Sequence, residues 1–123
     1  MTTHLRVGAC GQELLLPSPS VQRVSDGGLV SDGRPTLDLS RLLGGGPGEV
    51  IILYGEGEAG ILLAVDEVRG LVAVREEMLA RLPPLSPRFG QLFDSIAIEP
   101  IDGRYPLCLR KRLDPMALEP ERT

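Results

Sequence analysis

Glycine and proline interrupt this chain before any element can grow long. Together the 15 glycines and 11 prolines make up about a fifth of the 123 residues, and they fall between short apolar runs. Such punctuation favours many brief elements joined by turns over long helices. About nine apolar runs follow one another at spacings of about 8 to 12 residues, with only brief helical pieces between them, which predicts an all-β barrel or sandwich. Apolar residues are 42% of the chain, enough for a packed core. The length allows one domain or two small, intimately packed lobes. Aromatic residues are only 3% and tryptophan is absent, so Leu, Val and Ile must do the packing.

Local signals place the elements. "LRVGACGQELLLP" (5–17) reads as a hairpin turning at Gly11-Gln12. Val21 and Val24 mark the next strand, and Asp32-Gly33 the turn after it. "RPTLDL" alternates into a strand, and "DLSRLLG" continues into one or two helical turns, with Asp38 as N-cap and Gly44 as the stop. "EVIILY" and "AGILLAVDEV" are strands on either side of a glycine loop, and "GLVAV" is a further strand separated from them at Gly70. A short helix is predicted over Glu76 to Leu82, halted by Pro83-Pro84. "SIAIEPIDGRYPLCLRK" is a hairpin turning at Asp102-Gly103. The domain is expected over residues 1–113, with "DPMALEPERT" (114–123) as a polar, proline-interrupted mobile tail.

Charge and cysteine usage exclude several classes of function. A net charge of -4 argues against nucleic acid as a main partner, because phosphate binding needs clustered Lys and Arg. The basic cluster Arg110 to Arg112 reads as a solvated strand end. No apolar stretch approaches the roughly 20 residues of a membrane span, so direct insertion is not expected. The start "MTTHLRVGAC" has no signal-peptide core, which predicts a cytoplasmic protein. Cys10 and Cys108 lack C-x-x-C spacing and are expected to be two small buried hydrophobes. His4 is the only histidine. In a terminus expected to fray, and with no histidine partner, it removes most metal and triad chemistry.

Gly55, Gly57 and Gly60 spell G-x-G-x-x-G after the apolar run Val50 to Tyr54. A dinucleotide site needs a strand before the loop, a helix opening at it, and an acid about 20 residues on. Glu76 or Glu77 fits the acid, and Ile61, Leu62, Val65 and Val68 would share a helical face. Gly70, however, would sit inside that helix at a cost of about 1 kcal/mol. Glu56 and Glu58 lie within the loop, where they would repel a pyrophosphate held by backbone N–H groups. The loop is therefore expected to be a hairpin whose glycines supply positive φ. "GGGPG" (44–48) lacks the Lys-Ser/Thr of a P-loop. Asp66 and Glu67 are adjacent and would point to opposite faces of a strand, which bars them from acting as an acid–base pair. EF-hand spacing is not met, and Ser18, Ser20 and Ser25 have no general base nearby in sequence. No catalytic, cofactor-binding or metal-binding residue is assigned, and an enzyme is not expected.

Taken in order, these segments resemble the CheW-like family, the adaptors of bacterial chemosensory arrays. The family's opening strand, turn and apolar strand match "LRVGACGQELLLP". A V-x-x-V strand matches "VQRV", and a G-x-x-P-x-x-D-L corner resembles "DGRPTLDLSRLLG". The most specific piece, a hairpin ending G-x-x-V-D-x-V-x-x-V, is similar to "GILLAVDEVRGLVAV", and a last apolar–DG–apolar hairpin is similar to "SIAIEPIDGRYPLCLRKRL". The resemblance covers about residues 5 to 113. It implies two small, packed, five-stranded SH3-like β-barrels with one or two short helices. It also implies a non-enzymatic adaptor between a chemoreceptor's cytoplasmic tip and the regulatory domain of a histidine kinase. On it, Val21, Val65 and Val68 occupy positions that contact partners or frame the groove between barrels, and Arg23 and Asp66 join that partner-binding set. Each of these valines fits a core role equally well.

The chain departs from the family pattern in two ways. Between "VQRV" and "DGRP" only "SDGGLVSDG" remains. This is about ten residues short of the family's connection and lacks its L-R-G arginine. The family's ion pair there would survive with signs exchanged, as Arg23 with Asp32. The shortening also suits a trimmed module that binds the kinase without coupling a receptor, or that serves another sensory or motility pathway. A small β-barrel binding a ligand between lobes is a third reading, from another class.

Overall fold

The computed structural model describes residues 1–26, 34–55, 60–83 and 87–113. Among the described residues, ten strands and two short α-helices follow one another: β1 (Thr2–Ala9), β2 (Gln12–Pro17), β3 (Val21–Asp26), β4 (Thr36–Asp38), α1 (Leu39–Leu42), β5 (Val50–Tyr54), β6 (Ile61–Val65), β7 (Glu67–Val74), β8 (Leu79–Arg81), α2 (Pro87–Leu92), β9 (Phe93–Ala97) and β10 (Leu107–Leu109). Pairing divides the strands into a six-stranded sheet, β7-β1-β2-β10-β9-β8, and a four-stranded sheet, β3-β5-β6-β4. The expected all-β architecture holds, and two small SH3-like lobes are consistent with it; the strands divide six and four between the sheets. The predicted tail, 114–123, lies outside the described residues.

Turn chemistry sets the hairpins. Cys10 and Gly11 both have positive φ, 51° and 77°, as a two-residue turn matched to strand twist requires. Ala9 and Gln12 therefore close the ladder, and the turn lies one residue before the predicted Gly11-Gln12. Asp102 and Gly103 repeat the geometry, at 50° and 76°, across the Ile101–Arg104 bridge. That turn falls where the sequence puts it. β5 and β6 pair antiparallel from Val50–Val65 to Tyr54–Ile61, so the glycine segment between them returns the chain into a strand. Residues 56–59 of the loop lie outside the described residues, but directly after Gly60 the chain runs into strand β6 (Ile61–Val65) rather than a helix, and the dinucleotide reading fails on that ground.

Two predicted elements are corrected. Gly70 does not separate strands. β7 runs through it, with φ of +124° at Gly70 and a bulge where its pairing with β1 shifts between Arg6 and Val7. A bulge accommodates the glycine at little cost because no Cβ opposes that φ. The helix predicted over 76–82 is instead one 3-10 turn at Glu76–Met78 followed by β8, which pairs with β9. Apolar residues at 78, 79 and 82 serve either structure, and the available strand partner decides.

The main core joins the sheets. Leu5, Val7, Leu14 and Leu16 from one pack with Ile52, Tyr54, Leu63 and Val65 from the other, alongside Leu92 and Phe93. Leu15 points the opposite way, into a smaller cluster with Val74 and Cys108 that Val72, Met78 and Leu79 border. β2 is thus buried on both faces, which accounts for its uninterrupted Leu14-Leu15-Leu16 run. Full burial of each leucine contributes about 1.5–3 kcal/mol. No helix among the described residues is long and apolar enough to cross a membrane.

Candidate interaction surface at the sheet crossover

The chain passes from one sheet to the other at Asp66, between the end of β6 and the start of β7. Its backbone N–H donates to the Gly8 carbonyl at 2.8 Å. Oδ2 accepts the Cys10 backbone N–H at 2.7 Å, and Oδ1 accepts the Ser40 hydroxyl at 2.6 Å. One carboxylate therefore fastens the β1–β2 turn, the buried Ser40 of α1 and the crossover itself. The Cys10 bond also offsets part of the cost of a non-glycine residue at positive φ.

The segment carrying Ser40 is built by Asp38. As N-cap, Asp38 accepts the Arg41 N–H at 3.2 Å, and it accepts the Gly48 N–H at the same distance. Gly44, with φ of +101°, ends the helix as predicted, and the chain folds back along β6. A Cβ at Gly48 would meet the Val65 nitrogen at 2.6 Å, so only glycine lets that return lie so close.

Beside the crossover runs a chain of charges. Glu13, its carboxylate fully buried, accepts from Arg6 at 2.8 Å and Arg69 at 3.4 Å through one oxygen, Oε1. Arg6 continues to Asp102 at 2.7 Å, and Arg69 to Glu67 at 2.7 Å. Burial opposes the charge on Arg6, but hydrogen bonds and Coulomb attraction from Glu13 and Asp102 prevail and hold its pKa above the ordinary value. Glu67 and Arg69 lie over Gly8, where a Cβ would meet Glu67 Oε1 at 3.0 Å. The network ties the crossover end of β7 to the β9–β10 hairpin tip, leaving Val68 and Leu71 exposed on the sheet's terminal strand.

The residues expected to face partners divide sharply. Val65 is 0% exposed and belongs to the main core, so it packs the sheets together and presents nothing to a partner. Val21 is half-buried against the same core. Arg23 is exposed on β3, the end strand of the four-stranded sheet; Asp32, its expected partner, lies outside the described residues. Asp66 is exposed, yet both its oxygens are committed to internal donors. Val68 is 36% exposed and Leu71 68%. Val65, Asp66 and Val68 share the crossover, whereas Val21 and Arg23 stand on the other sheet.

Two further expectations change. His4 is not frayed: it is 4% exposed within β1, opposite Pro17 on β2 and Val72 on β7. Cys10 is exposed at the hairpin turn, and only Cys108 is buried, its thiol pushed up to about 11 chiefly by burial. Glu13 and Arg6 were not singled out by the sequence. The hairpin register, once the turn is centred on Cys10-Gly11, sets them diagonally across β1 and β2, and that is the signal that finds them. Among the described residues no cluster of three or more His, Cys, Asp or Glu could hold a metal ion.

No family model and no curated protein sequence matches this chain. Its fold is similar to the crystal structure of the scaffolding protein TtCheW from Thermoanaerobacter tengcongensis. The TM-score is 0.69 at 16% identity, over 89% of this chain and 88% of that one. The chain has the CheW-like fold.

Proposed function

We propose that this chain is a non-enzymatic chemosensory adaptor. It binds the regulatory domain of a histidine kinase through its β-sheet surfaces and links it to a chemoreceptor's cytoplasmic tip. The observation that carries the reading is the near full-length likeness to a scaffolding protein. The surface of the crossover agrees with it: Val68 and Leu71 form an exposed apolar pair on an end strand, rimmed by Glu67 and Arg69. Apolar centres with charged rims suit reversible protein contact. Isothermal titration of the chain against a kinase regulatory domain tests the reading; saturable binding is expected, and none in folded protein would refute it.

A second reading rests on the short connection between "VQRV" and "DGRP". A module without the family's L-R-G arginine binds the kinase but leaves the receptor unattached. Co-sedimentation with receptor-bearing membranes separates the two. A coupler brings the kinase down with the receptor, and a blocker leaves both itself and the kinase in the supernatant.

A further inference from the structure

The six-stranded sheet ends at β8, which among the described residues pairs with β9 alone, from Leu79–Ala97 to Arg81–Ser95. Two bonds fix which backbone groups that pairing uses. The Ile98 N–H donates to the Met78 carbonyl at 2.7 Å, and the Leu82 N–H to the Asp94 carbonyl at 3.0 Å. In an antiparallel pair, residues whose N–H and C=O face the partner alternate with residues whose groups turn away. Met78, Ala80 and Leu82 therefore face β9, and Leu79 and Arg81 direct their backbone groups off the sheet. The Leu79 N–H is taken by the Glu76 carbonyl, where the 3-10 turn ends. The Leu79 carbonyl and both backbone groups of Arg81 meet no partner among the described residues. They stand in line on an open edge, one donor and two acceptors, the arrangement that an added strand completes.

The side chains beside this edge say what kind of strand. Leu79 and Arg81 line a cavity of about 600 Å³, which continues through Asp94, Ser95 and Arg110 into a cleft of about 770 Å³. Four cations line the joined trough, Arg81, Arg110, Lys111 and Arg112, against two carboxylates, Glu76 and Asp94. This positive excess belongs to a chain of net charge -4. Arg110 is held in place, its Nε donating to the Gly90 carbonyl at 2.6 Å. Asp94 already accepts the Ser95 hydroxyl at 2.8 Å. Arg81 is exposed and makes no ion pair with another described residue. A second copy of the chain would set the same cations against these, and like charges across a strand pair repel.

We propose that β8 docks an acidic, extended segment of another protein by antiparallel strand addition. The segment's backbone bonds the free groups of Arg81 and Leu79. Its side chains alternate, so a carboxylate opposite Arg81 is followed two residues later by an apolar side chain opposite Leu79. The pattern recognised is acid–x–apolar. β8 and β7 are opposite ends of the same sheet, and the proposal stands whether or not the adaptor reading does.

Nuclear magnetic resonance of this chain tests it, with a capped peptide of that pattern, TETETLTS, and its basic counterpart, TKTKTLTS. Saturable binding of the acidic peptide is expected, with hydrogen exchange of the Arg81 amide slowed at least tenfold. The Ala80 and Leu82 amides, which face β9, should change little. Arg81→Glu, a substitution on an exposed side chain, should weaken the acidic peptide at least tenfold and bind the basic one in its place. No slowing at Arg81 under saturating peptide, equal affinity for the two peptides, or unchanged affinity in Arg81→Glu would each overturn the proposal. Slowing at Arg81 without peptide that grows with protein concentration would give the edge to a second copy. Slowing without peptide that vanishes when residues 114–123 are removed would give it to the chain's own residues, and either result overturns the assignment to another protein.

Discussion

The Ser40 hydroxyl donates to Asp66 at 2.6 Å, joining a fully buried helix residue to the single residue between β6 and β7, where the chain returns to the six-stranded sheet. The other Asp66 oxygen holds the Cys10 turn at 2.7 Å, so the bond is part of a three-way fastening. Hydrogen bonds to a charged group contribute about 1.5–3 kcal/mol each. Asp66→Ala is therefore expected to lower stability by about 2–4 kcal/mol, and Ser40→Ala by less. In a double-mutant cycle read by urea unfolding, the pair should couple by about 1 kcal/mol or more. Additive effects would mean that the contact holds nothing together.

Gly48 and Gly46 make a matched pair of opposite sign. A Cβ at Gly48 meets backbone atoms of Ala64 and Val65 at 2.6 to 2.9 Å, while one at Gly46 meets nothing within 4 Å. Gly48→Ala must push the 44–48 segment off β6, with an expected cost of about 1–3 kcal/mol. Gly46→Ala, which only removes freedom from the unfolded chain, should be neutral or stabilising by about 0.4–1 kcal/mol. Thermal unfolding of both variants checks the contrast, and equal effects would refute it.

These contacts show what the sequence makes legible. Strand existence follows from punctuation and alternation, and the capped turn at Asp38 follows from residue type alone. The Asp102-Gly103 turn is equally plain, because both residues tolerate positive φ. Sheet membership is another matter. "AVDEV" reads as one continuing strand, but the fold spends Asp66 on a crossover, and the residues on its two sides then obey different alternations. Val65 faces the core and Val68 the solvent for that reason. Similarly, His4 looks terminal in a linear reading and becomes buried only because β2 and β7 flank β1. Both depend on pairing with residues distant in sequence, His4 with Pro17 and Val72 and Val68 with Val7, which local pattern does not encode.

Burial of His4 has a consequence for pH. Desolvation pushes its imidazole below the ordinary 6.5, with Lys111 acting in the same direction and the Thr2 carbonyl and Asp94 opposing. The folded state thus resists protonation, whereas the unfolded chain accepts the proton near its ordinary value. Below that value the unfolded state binds more protons, and stability falls as pH drops, by up to about 1.4 kcal/mol per pH unit, until the folded pKa is reached. Urea midpoints at pH 7.5, 6.5 and 5.5 should decline in the native chain and flatten in His4→Leu. An unchanged slope in that variant would assign the decline to other groups.

Val65 and Val68 offer the sharpest test of the docking surface, because they lie three residues apart in opposite environments. An aspartate at Val65 would put an unpaired charge into the main core, where carboxylates lack any partner, and should unfold the protein outright. Leu71→Asp alters an exposed side chain of β7, so its unfolding curve should stay within about 0.5 kcal/mol of the native chain. Val68→Asp, at a position only partly exposed, should cost about 1 kcal/mol and still leave the protein folded. If β7 is the kinase-facing edge, each should weaken binding of the regulatory domain at least tenfold, and the loss should appear in the dissociation rate. Arg23→Ala, on the end strand of the other sheet, is the comparison. A loss there with Val68→Asp and Leu71→Asp unaffected would move the interface to β3. A loss at both would require a partner that spans the two sheets, with Asp66 at the corner between them.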